Sequence, residues 1–443
     1  MKQLLGVLLL CFSQLIASDW LMFQGTEPKM IMKDGEKIQN SISMPLLWGF
    51  AQVKYEKNYS DIYEAAGVNK TAFAYVKPNL ENQSQLQLFR ARLGLRGVLD
   101  DKNKINYFLL TDFGHNGISN PAGHRHHTYL TDASITLRYI TNANVRIGMF
   151  KYPGSEEGLQ ARFASPFIIF TGMSDFLLLE KTPETNKEDI NTNGSFSGRP
   201  NHSVGAYRDT GIEVFDRLKL EQDWALSYAL MIGNGSGMKW ANKNSGHYTG
   251  YGYLSLEHSF GKGKGYYHQD FKTYVWYQEG KRRLDANNET NLYDRIRYGA
   301  GLRYFKDGLR FEAEYTGAEG MIFAGAKDVN PTAGDENWHI NMEAEKDNRA
   351  YGYYLSAAYE VYPKVEVMMR YDELDNMTNS VAKERIFKTT TLGMTYHFKG
   401  PTRIDLNYLI KDAEAPGNSS AQNVLNNLGD SITVQYTYKF GFR

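Results

Sequence analysis

Polar and apolar residues alternate strictly along the end of the chain. From Val434 to Phe442 every second residue is apolar or aromatic, and the alternate positions from Thr433 to Lys439 are polar or charged. Successive side chains of a β-strand point to opposite faces, so this segment has one apolar face and one polar face. The pattern is typical of a strand that separates lipid from water.

The same two-residue period recurs along the chain, with turn residues between the segments. It predicts about sixteen strands, each close to the roughly 9–11 residues that a membrane-spanning strand needs. They lie near residues 46–57, 85–98, 104–113, 129–139, 144–151, 208–216, 223–232, 247–259, 269–278, 295–305, 309–316, 350–361, 365–372, 388–398, 403–411 and 431–442.

The connections between these segments alternate in length. Short turns such as 100–103, 306–308 and 362–364 are followed by long polar stretches such as 317–348 and 373–387. Short turns at one rim and long loops at the other are typical of bacterial outer-membrane barrels. The fold class predicted is therefore all-β, a transmembrane antiparallel β-barrel over 46–442, with a soluble domain of repeated hairpins as the alternative.

The longest connection, 152–207, mixes apolar runs with charged residues. Exposed apolar patches are costly, so we expect this loop to fold into the barrel and narrow the pore. A subunit contact or a surface hairpin is the alternative.

The N-terminus has the features of a signal peptide. Lys2 precedes an apolar run at 4–16 that is too short to span a bilayer, and small residues follow at 17–18. We therefore predict a signal peptide at 1–18 and a periplasmic segment at 19–45. The only cysteine, Cys11, lies in the signal peptide, so the mature chain would have no disulfide and no cysteine-held cofactor. A mean hydropathy of −0.51 argues against a helical membrane protein.

Six segments, taken in order, resemble one known family. They are 89–97 (FRARLGLRG), 130–138 (LTDASITLR), 146–153 (RIGMFKYP), 207–213 (YRDTGIE), 224–235 (WALSYALMIGNG) and 364–372 (KVEVMMRYD). The sequence resembles the phosphate-selective porin O and P family of bacterial outer-membrane porins over nearly all of the mature chain. That resemblance implies a trimeric sixteen-stranded channel, a pore-folded loop after the fifth strand, and basic residues along an anion path.

Strand register places rows of arginine in the predicted pore. On the second strand Phe89, Ala91, Leu93 and Leu95 would face lipid, which turns Arg90, Arg92 and Arg96 inward. On the tenth strand lipid-facing Tyr298, Ala300, Leu302 and Tyr304 turn Arg295, Arg297 and Arg303 inward. Arg138 and Arg146 are inward by the same rule. Arginine stays charged and its donors match carboxylate and phosphate oxygens, so these rows predict an anion path.

Two loop features could add to an anion site. Lys151 and Arg162 flank the start of the long loop, and Lys281, Arg282 and Arg283 form a basic cluster after the ninth strand. The alternative is that inward carboxylates balance the inward arginines. The sequence carries 50 basic and 50 acidic residues, so net charge does not decide between these hypotheses.

No arrangement of residues indicates catalysis or a physiological metal site. Asn201, His202 and Ser203 are consecutive and cannot face one another as a triad. The histidines at 115, 124, 126 and 127 lack the spacing of a structural zinc site. We predict no enzymatic activity, no cofactor, no bound metal and no nucleic-acid partner.

The sequence thus predicts an outer-membrane porin for passive diffusion of small anions such as phosphate, in contact with outer-membrane lipid and lipopolysaccharide, and a homotrimer by resemblance. One alternative is a general or cation-tolerant diffusion porin. Another is a barrel with adhesive or structural loops and a plugged lumen.

Overall fold

The chain forms a closed sixteen-stranded barrel. The computed structural model describes residues 20–23, 45–65, 68–71, 84–100, 104–116, 118, 128–180, 183–184, 195–200, 205–221, 223–242, 244, 246–263, 267–284, 292–326 and 340–441. The predicted signal peptide at 1–18 and most of the predicted periplasmic segment at 19–45 lie outside these residues, as do His124, His126 and His127.

Sixteen long strands make up the barrel wall. They are β1 (Leu46–Asn58), β4 (Ser84–Val98), β5 (Ile105–Phe113), β6 (Thr128–Ile140), β7 (Ala143–Lys151), β10 (Arg208–Lys219), β11 (Trp224–Gly233), β12 (Thr249–Ser259), β13 (Asp270–Arg282), β14 (Tyr293–Lys306), β15 (Leu309–Gly320), β18 (Arg349–Tyr362), β19 (Val365–Asn376), β20 (Arg385–His397), β21 (Thr402–Glu414) and β22 (Ser431–Phe440).

Short elements lie in the connections. They are the strands β2 (Ile62–Ala65), β3 (Val68–Thr71), β8 (Pro183–Glu184), β9 (Ser195–Pro200), β16 (Ile322–Ala326) and β17 (Ile340–Glu343), the helices α1 (Trp20–Phe23), α2 (Glu156–Leu159) and α3 (Ser419–Leu425), and a π-helical turn at Ser174–Leu178.

Each wall strand pairs antiparallel with its neighbours, and β1 closes the ring by pairing with both β4 and β22. All sixteen predicted strands are present, with ends that differ by at most four residues. The largest differences are at the loop ends of β13, β15 and β19. Charged residues there continue the hairpin beyond the lipid, where period-two hydrophobicity no longer marks a strand.

The wall has an apolar outside and a polar inside. Leu88, Leu230, Ile232 and Met369 are among the exposed apolar residues of the outer face. On β22 the outward residues alternate with buried Thr433, Gln435, Thr437 and Lys439. A closed barrel with such a band spans the bacterial outer membrane, so the predicted fold class and location are confirmed.

None of the described helices is long and apolar enough to cross a membrane.

The alternation of short turns and long loops is confirmed. The turn between β14 and β15 contains only Asp307 and Gly308, both with positive φ, at 47° and 84°. A two-residue turn with positive φ at both positions has a backbone twist that matches the right-handed twist of the two strands it connects. Short turns mark the periplasmic rim by the rule for such barrels.

The loop that follows β7 folds into the barrel, as predicted, and crosses it to reach the far wall. Ser155 Oγ donates to Glu314 on β15 at 3.1 Å, the Gly172 amide donates to Asp372 on β19 at 2.9 Å, and the Ile168 amide donates to Asn407 on β21 at 2.9 Å. Contacts with three far strands fix the loop across the lumen.

The outer part of the same loop joins a small sheet. Strands β8 and β9 come from this loop, and β16 and β17 come from the connection after β15; the order is β16-β17-β9-β8. Phe176 of the π-helical turn packs against Phe323 of β16 and against Phe387 of β20, with ring centroids 5.1 and 5.2 Å apart. Apolar packing therefore fastens the pore loop to a second extracellular connection.

Four residues of the N-terminal segment also lie in the lumen. Trp20, Leu21 and Met22 are buried and belong to the main hydrophobic cluster, and α1 packs against α2. The Leu21 carbonyl accepts a hydrogen bond from Arg146 Nη2 at 3.4 Å. Whether the segment at 19–45 is periplasmic as a whole stays a prediction.

One prediction of orientation is wrong. Phe89 is 4% exposed and faces inward, because the pairing of β1 with β4 shifts by one residue between Gln52 and Val53. The extra residue forms a β-bulge, which turns Phe89 and Arg90 to the same side. The Phe89 ring then lies 4.0 Å from both the Lys54 ammonium and the Arg90 guanidinium.

A glycine is required where β7 crosses β6 closely. Gly148 has a φ of 130°, and a Cβ there would lie 2.1 Å from the Ala133 carbonyl oxygen. We expect Gly148→Ala to destabilise the barrel by about 1–3 kcal/mol or more, since a strained backbone alone costs that much. The thermal midpoint of unfolding in detergent measures the effect. Gly250→Ala is the control, because nothing lies within 4 Å of its added methyl; equal midpoints for the two variants would contradict the prediction.

Candidate anion path

The predicted arginine rows line the inside of the barrel. Ten of the thirteen predicted site residues are buried there: Arg90, Arg92, Arg96, Arg146, Lys151, Arg162, Arg282, Arg295, Arg297 and Arg303. Arg138 and Arg283 are half-buried, and Lys281 is exposed. The arginines of β4, β7 and β14 are buried on the side that strand parity predicts, and their role in binding anions stays a prediction.

Arg90 and Arg162 come together where the pore loop meets the wall. Arg90 Nη1 donates to Gln52 Oε1 at 3.0 Å, and Gln52 Nε2 donates to the Arg162 carbonyl at 3.3 Å. Gln52 on β1 therefore bridges an arginine of β4 to an arginine of the loop. Within the described residues neither arginine forms an ion pair with a carboxylate.

The Arg162 guanidinium is held by neutral groups. Nη2 donates to the Phe167 carbonyl at 2.7 Å, and the guanidinium lies 4.1 Å from the Phe170 ring centroid. Its Nε and Nη1 atoms are buried without a hydrogen-bond partner, as is Nε of Arg90. Burial lowers the pKa of Arg162 to about 10; Glu157 raises it, and the charges of Arg370 and Arg92 lower it further. At neutral pH the group is charged and has donors to offer.

Two other predicted site residues hold the pore loop in place by binding backbone carbonyls. Lys151 Nζ donates to the carbonyls of Gly158, Leu159 and Gln160 at 2.8, 3.0 and 3.1 Å. An ammonium group has three donors, so these bonds use all of them. We assign Lys151 a positioning role at the end of α2.

Arg297 makes a similar set of contacts at the π-helical turn. Its Nε donates to the Leu177 carbonyl at 2.9 Å, and Nη1 donates to the Glu319 carbonyl at 3.1 Å. Nη2 donates to the Met321 carbonyl. The side chain joins the pore loop to the connection after β15, and with a further bond from Nη1 to the Ile296 carbonyl at 2.8 Å four of its five donors are used.

Several inward arginines pair with inward carboxylates of the wall. The pairs are Arg92–Asp112 at 3.0 Å, Arg146–Glu213 at 3.2 Å, Arg208–Asp132 at 2.9 Å and Arg403–Asp405 at 3.0 Å. All four carboxylates are buried on the inner side of the wall. The pairing reduces the net charge that these arginines present to an ion.

The pore loop supplies three more carboxylates, which the sequence prediction missed. Glu156 pairs with Lys272 at 2.8 Å and with Arg303 at 3.0 Å. Glu157 pairs with Arg370 at 3.2 Å. Glu156 and Glu157 are adjacent acidic residues at the start of a loop that is predicted to be buried. Because buried acids need cationic partners, this pattern could have predicted ion pairs with the wall.

The third loop carboxylate, Glu180, lies between two arginines of the wall. It pairs with Arg282 and with Arg295, whose Nε is 3.2 Å from Glu180 Oε2. Lys281 instead points away from the lumen to Asp294 at 3.3 Å. The predicted basic cluster at 281–283 is thus divided between the lumen and the outside.

Comparisons with known proteins agree on the fold. The anion-selective porin from Comamonas acidovorans aligns over 90% of this chain and 99% of its own, with a TM-score of 0.52 and 14% identity. OmpT in its trimer form, an outer membrane protein of Vibrio cholerae, aligns over the same shares with a TM-score of 0.51 and 9% identity. No protein-family model and no curated protein matches the sequence.

The chain therefore has the fold of a porin-type outer-membrane barrel. At identities this low the likeness shows the fold alone, and the resemblance to phosphate-selective porins stays a prediction.

Proposed function

We propose that this protein is an outer-membrane channel for passive diffusion of small anions, and that Arg90, Gln52 and Arg162 form its anion site. The observation that carries the proposal is the absence, within the described residues, of a carboxylate paired with either arginine. Most other buried cations around them have such a partner or are bound to backbone carbonyls.

Charge and burial at this point favour an anion over a cation. Two guanidinium groups that form no ion pair with a carboxylate attract an anion, and the low dielectric of a packed lumen strengthens that attraction. Arg90, Gln52 and Arg162 lie together inside the barrel, where the pore loop meets the wall. An ion could exchange hydration water for these donors and still leave, because each contact is modest.

Phosphate is the finer part of the proposal. A guanidinium offers paired donors to an oxyanion, so two of them suit a tetrahedral phosphate better than chloride. The resemblance of six segments to phosphate-selective porins supports this choice, and the same resemblance implies a homotrimer. No cofactor or energy source is involved in passive diffusion.

The test is the reversal potential of the purified protein in a planar bilayer across a potassium chloride gradient, with phosphate added afterwards. We expect anion selectivity and a chloride current that falls as phosphate is raised. Cation selectivity would contradict the proposal. A current near zero would instead favour a plugged barrel whose long loops serve adhesion or structure. The burial of Trp20, Leu21 and Met22 in the lumen is the observation that favours a plug.

The ion pairs of the lumen support one alternative. Several buried carboxylates face the arginines, among them Asp112, Asp132, Glu156, Glu157, Glu180, Glu213, Asp270 and Asp405. If they cancel the field along the whole path, the protein is a general diffusion porin. The same measurement separates the two, because a balanced lumen would give weak selectivity and no block by phosphate.

A further inference from the structure

Glu180 is bound by the barrel wall as a free carboxylate ligand would be. Its Oε1 accepts from Arg282 Nε, its Oε2 accepts from Arg282 Nη2 at 3.3 Å, and Arg295 Nε lies 3.2 Å from Oε2. The Glu180 side chain is 8% exposed, and those of Arg282 and Arg295 are 5% and 1% exposed. Two guanidinium groups on neighbouring strands thus enclose one carboxylate.

The wall fixes both arginines independently of Glu180. Arg282 Nη1 donates to Thr249 Oγ1 at 2.7 Å, and Arg295 Nη1 donates to Gln278 Oε1 at 3.2 Å. Strands β13 and β14 are paired here, with Gly280 opposite Arg295 and Arg282 opposite Tyr293. Because strands and wall side chains hold the donors, the two arginines would keep their places without the glutamate.

The backbone at Glu180 is held in an unfavourable conformation. Its φ is 56°, in the left-handed region that residues with a Cβ seldom adopt. The flanking backbone is tied to the other end of the loop, since Ala206 N donates to the Leu179 carbonyl at 2.9 Å and Gly205 N to the Glu180 carbonyl at 3.2 Å. Such strain persists only where the surroundings impose it, and here the imposed geometry points the carboxylate at the arginines.

Glu180 stays ionised under ordinary conditions. Burial alone would raise its pKa, but the charges of Arg282 and Arg295 outweigh burial and lower the pKa to about 2. The carboxylate therefore occupies the two arginines at any pH near neutrality.

We propose that Arg282 and Arg295 form a second oxyanion site in the lumen, and that Glu180 is its tethered occupant and thereby restricts which anions pass. The site takes small oxyanions, carboxylates or phosphate, because a carboxylate already fits between the two guanidinium groups. This inference rests on the proposed channel function and adds to it a residue that sets selectivity.

The experiment removes the tethered carboxylate and asks whether an added one replaces it. The chloride current of Glu180→Ala in a planar bilayer is titrated with acetate and, separately, with phosphate. We expect the half-blocking concentration to fall roughly tenfold relative to the unaltered protein, as gaining about one charge-assisted hydrogen bond implies. A fall with acetate alone defines a carboxylate site, and a fall with phosphate extends the site to tetrahedral oxyanions.

Two further variants fix the interpretation. Adding Arg282→Gln and Arg295→Gln to Glu180→Ala must abolish the gain, since the donors are then absent. Asp294→Asn makes the same charge change at the exposed pair with Lys281 and must leave both half-blocking concentrations unchanged. A gain that survives the arginine substitutions, or an equal gain in Asp294→Asn, would overturn the proposal.

A purely structural role for Glu180 gives a different result. Loosening of the loop would raise the conductance for chloride without any gain in block by acetate or phosphate, and that outcome would also overturn the proposal. If Glu180→Ala does not form a barrel, Glu180→Gln, which keeps the side-chain volume, is measured in its place with a smaller gain expected in the same direction. Arg90 and Arg162 are intact in every variant, so anion selectivity of the unaltered protein tests the proposed function separately.

Discussion

Replacing Arg90 and Arg162 together by glutamine is expected to lower the anion-to-cation permeability ratio by at least roughly tenfold. Each arginine offers a passing anion charge-assisted hydrogen bonds, worth about 1.5–3 kcal/mol, and a change of about 1.4 kcal/mol is a factor of ten. Neither arginine forms an ion pair with a carboxylate within the described part of the chain, so both guanidinium groups can attract an anion. Glutamine keeps a polar side chain of similar length.

The matched control removes two positive charges that lie outside the lumen. Lys262 and Lys281 are 65% and 49% exposed and form surface pairs with Asp307 and Asp294. Glutamine at both positions changes the net charge equally, yet we expect little change in the reversal potential, because exposed charges are screened by salt. Equal losses in the two double variants would mean that overall charge, and not the Arg90–Gln52–Arg162 site, sets selectivity.

Strand parity in the sequence was enough to predict most of the lumen. On β4 and on β14 the apolar residues, such as Leu93 and Leu302, occupy every second position and face outward. The arginines at the positions in between must therefore face inward. Parity fails only where pairing slips, and no residue type at Phe89 marks the bulge. Its position depends on how β1 and β4 align, which is a property of two strands and not of one.

The contacts of the pore loop were beyond sequence reasoning for a related reason. Its apolar composition predicted that it folds inward, which the structure confirms. The partners that it finds across the lumen depend on barrel diameter and strand stagger. Lys151 was predicted to bind anions because it is basic and stands at the loop entrance, but its ammonium is committed to three carbonyls that only the folded α2 presents.

The same limit applies to charge balance. A net charge of zero gave no indication of which arginines are neutralised, and the carboxylates that matter most come from distant parts of the chain. Glu180 reaches Arg282 and Arg295 from about a hundred positions away. Selectivity in this barrel is a property of local pairing, and that pairing is visible only in three dimensions.

Arg146→Leu is expected to destabilise the barrel by about 3–5 kcal/mol, because it leaves a buried carboxylate without its partner. Arg146 and Glu213 are both 0% exposed and lie 3.2 Å apart on the paired strands β7 and β10. The guanidinium also lies 4.2 Å from the Phe215 ring centroid, an attraction that is lost with the charge. The midpoint of thermal unfolding in detergent, followed by the gel shift of the folded barrel, measures the loss.

The double variant Arg146→Leu with Glu213→Leu is expected to recover most of that stability. It removes both charges, and the new side chains would pack beside Phe150 and Phe215, which already border the guanidinium. Replacing a buried pair by apolar residues is often neutral or stabilising, whereas breaking it is not. A double variant as unstable as Arg146→Leu would show that the arginine acts through other contacts, such as its bond to the Leu21 carbonyl. Anion selectivity of the double variant should change little, because the pair it removes is already neutral.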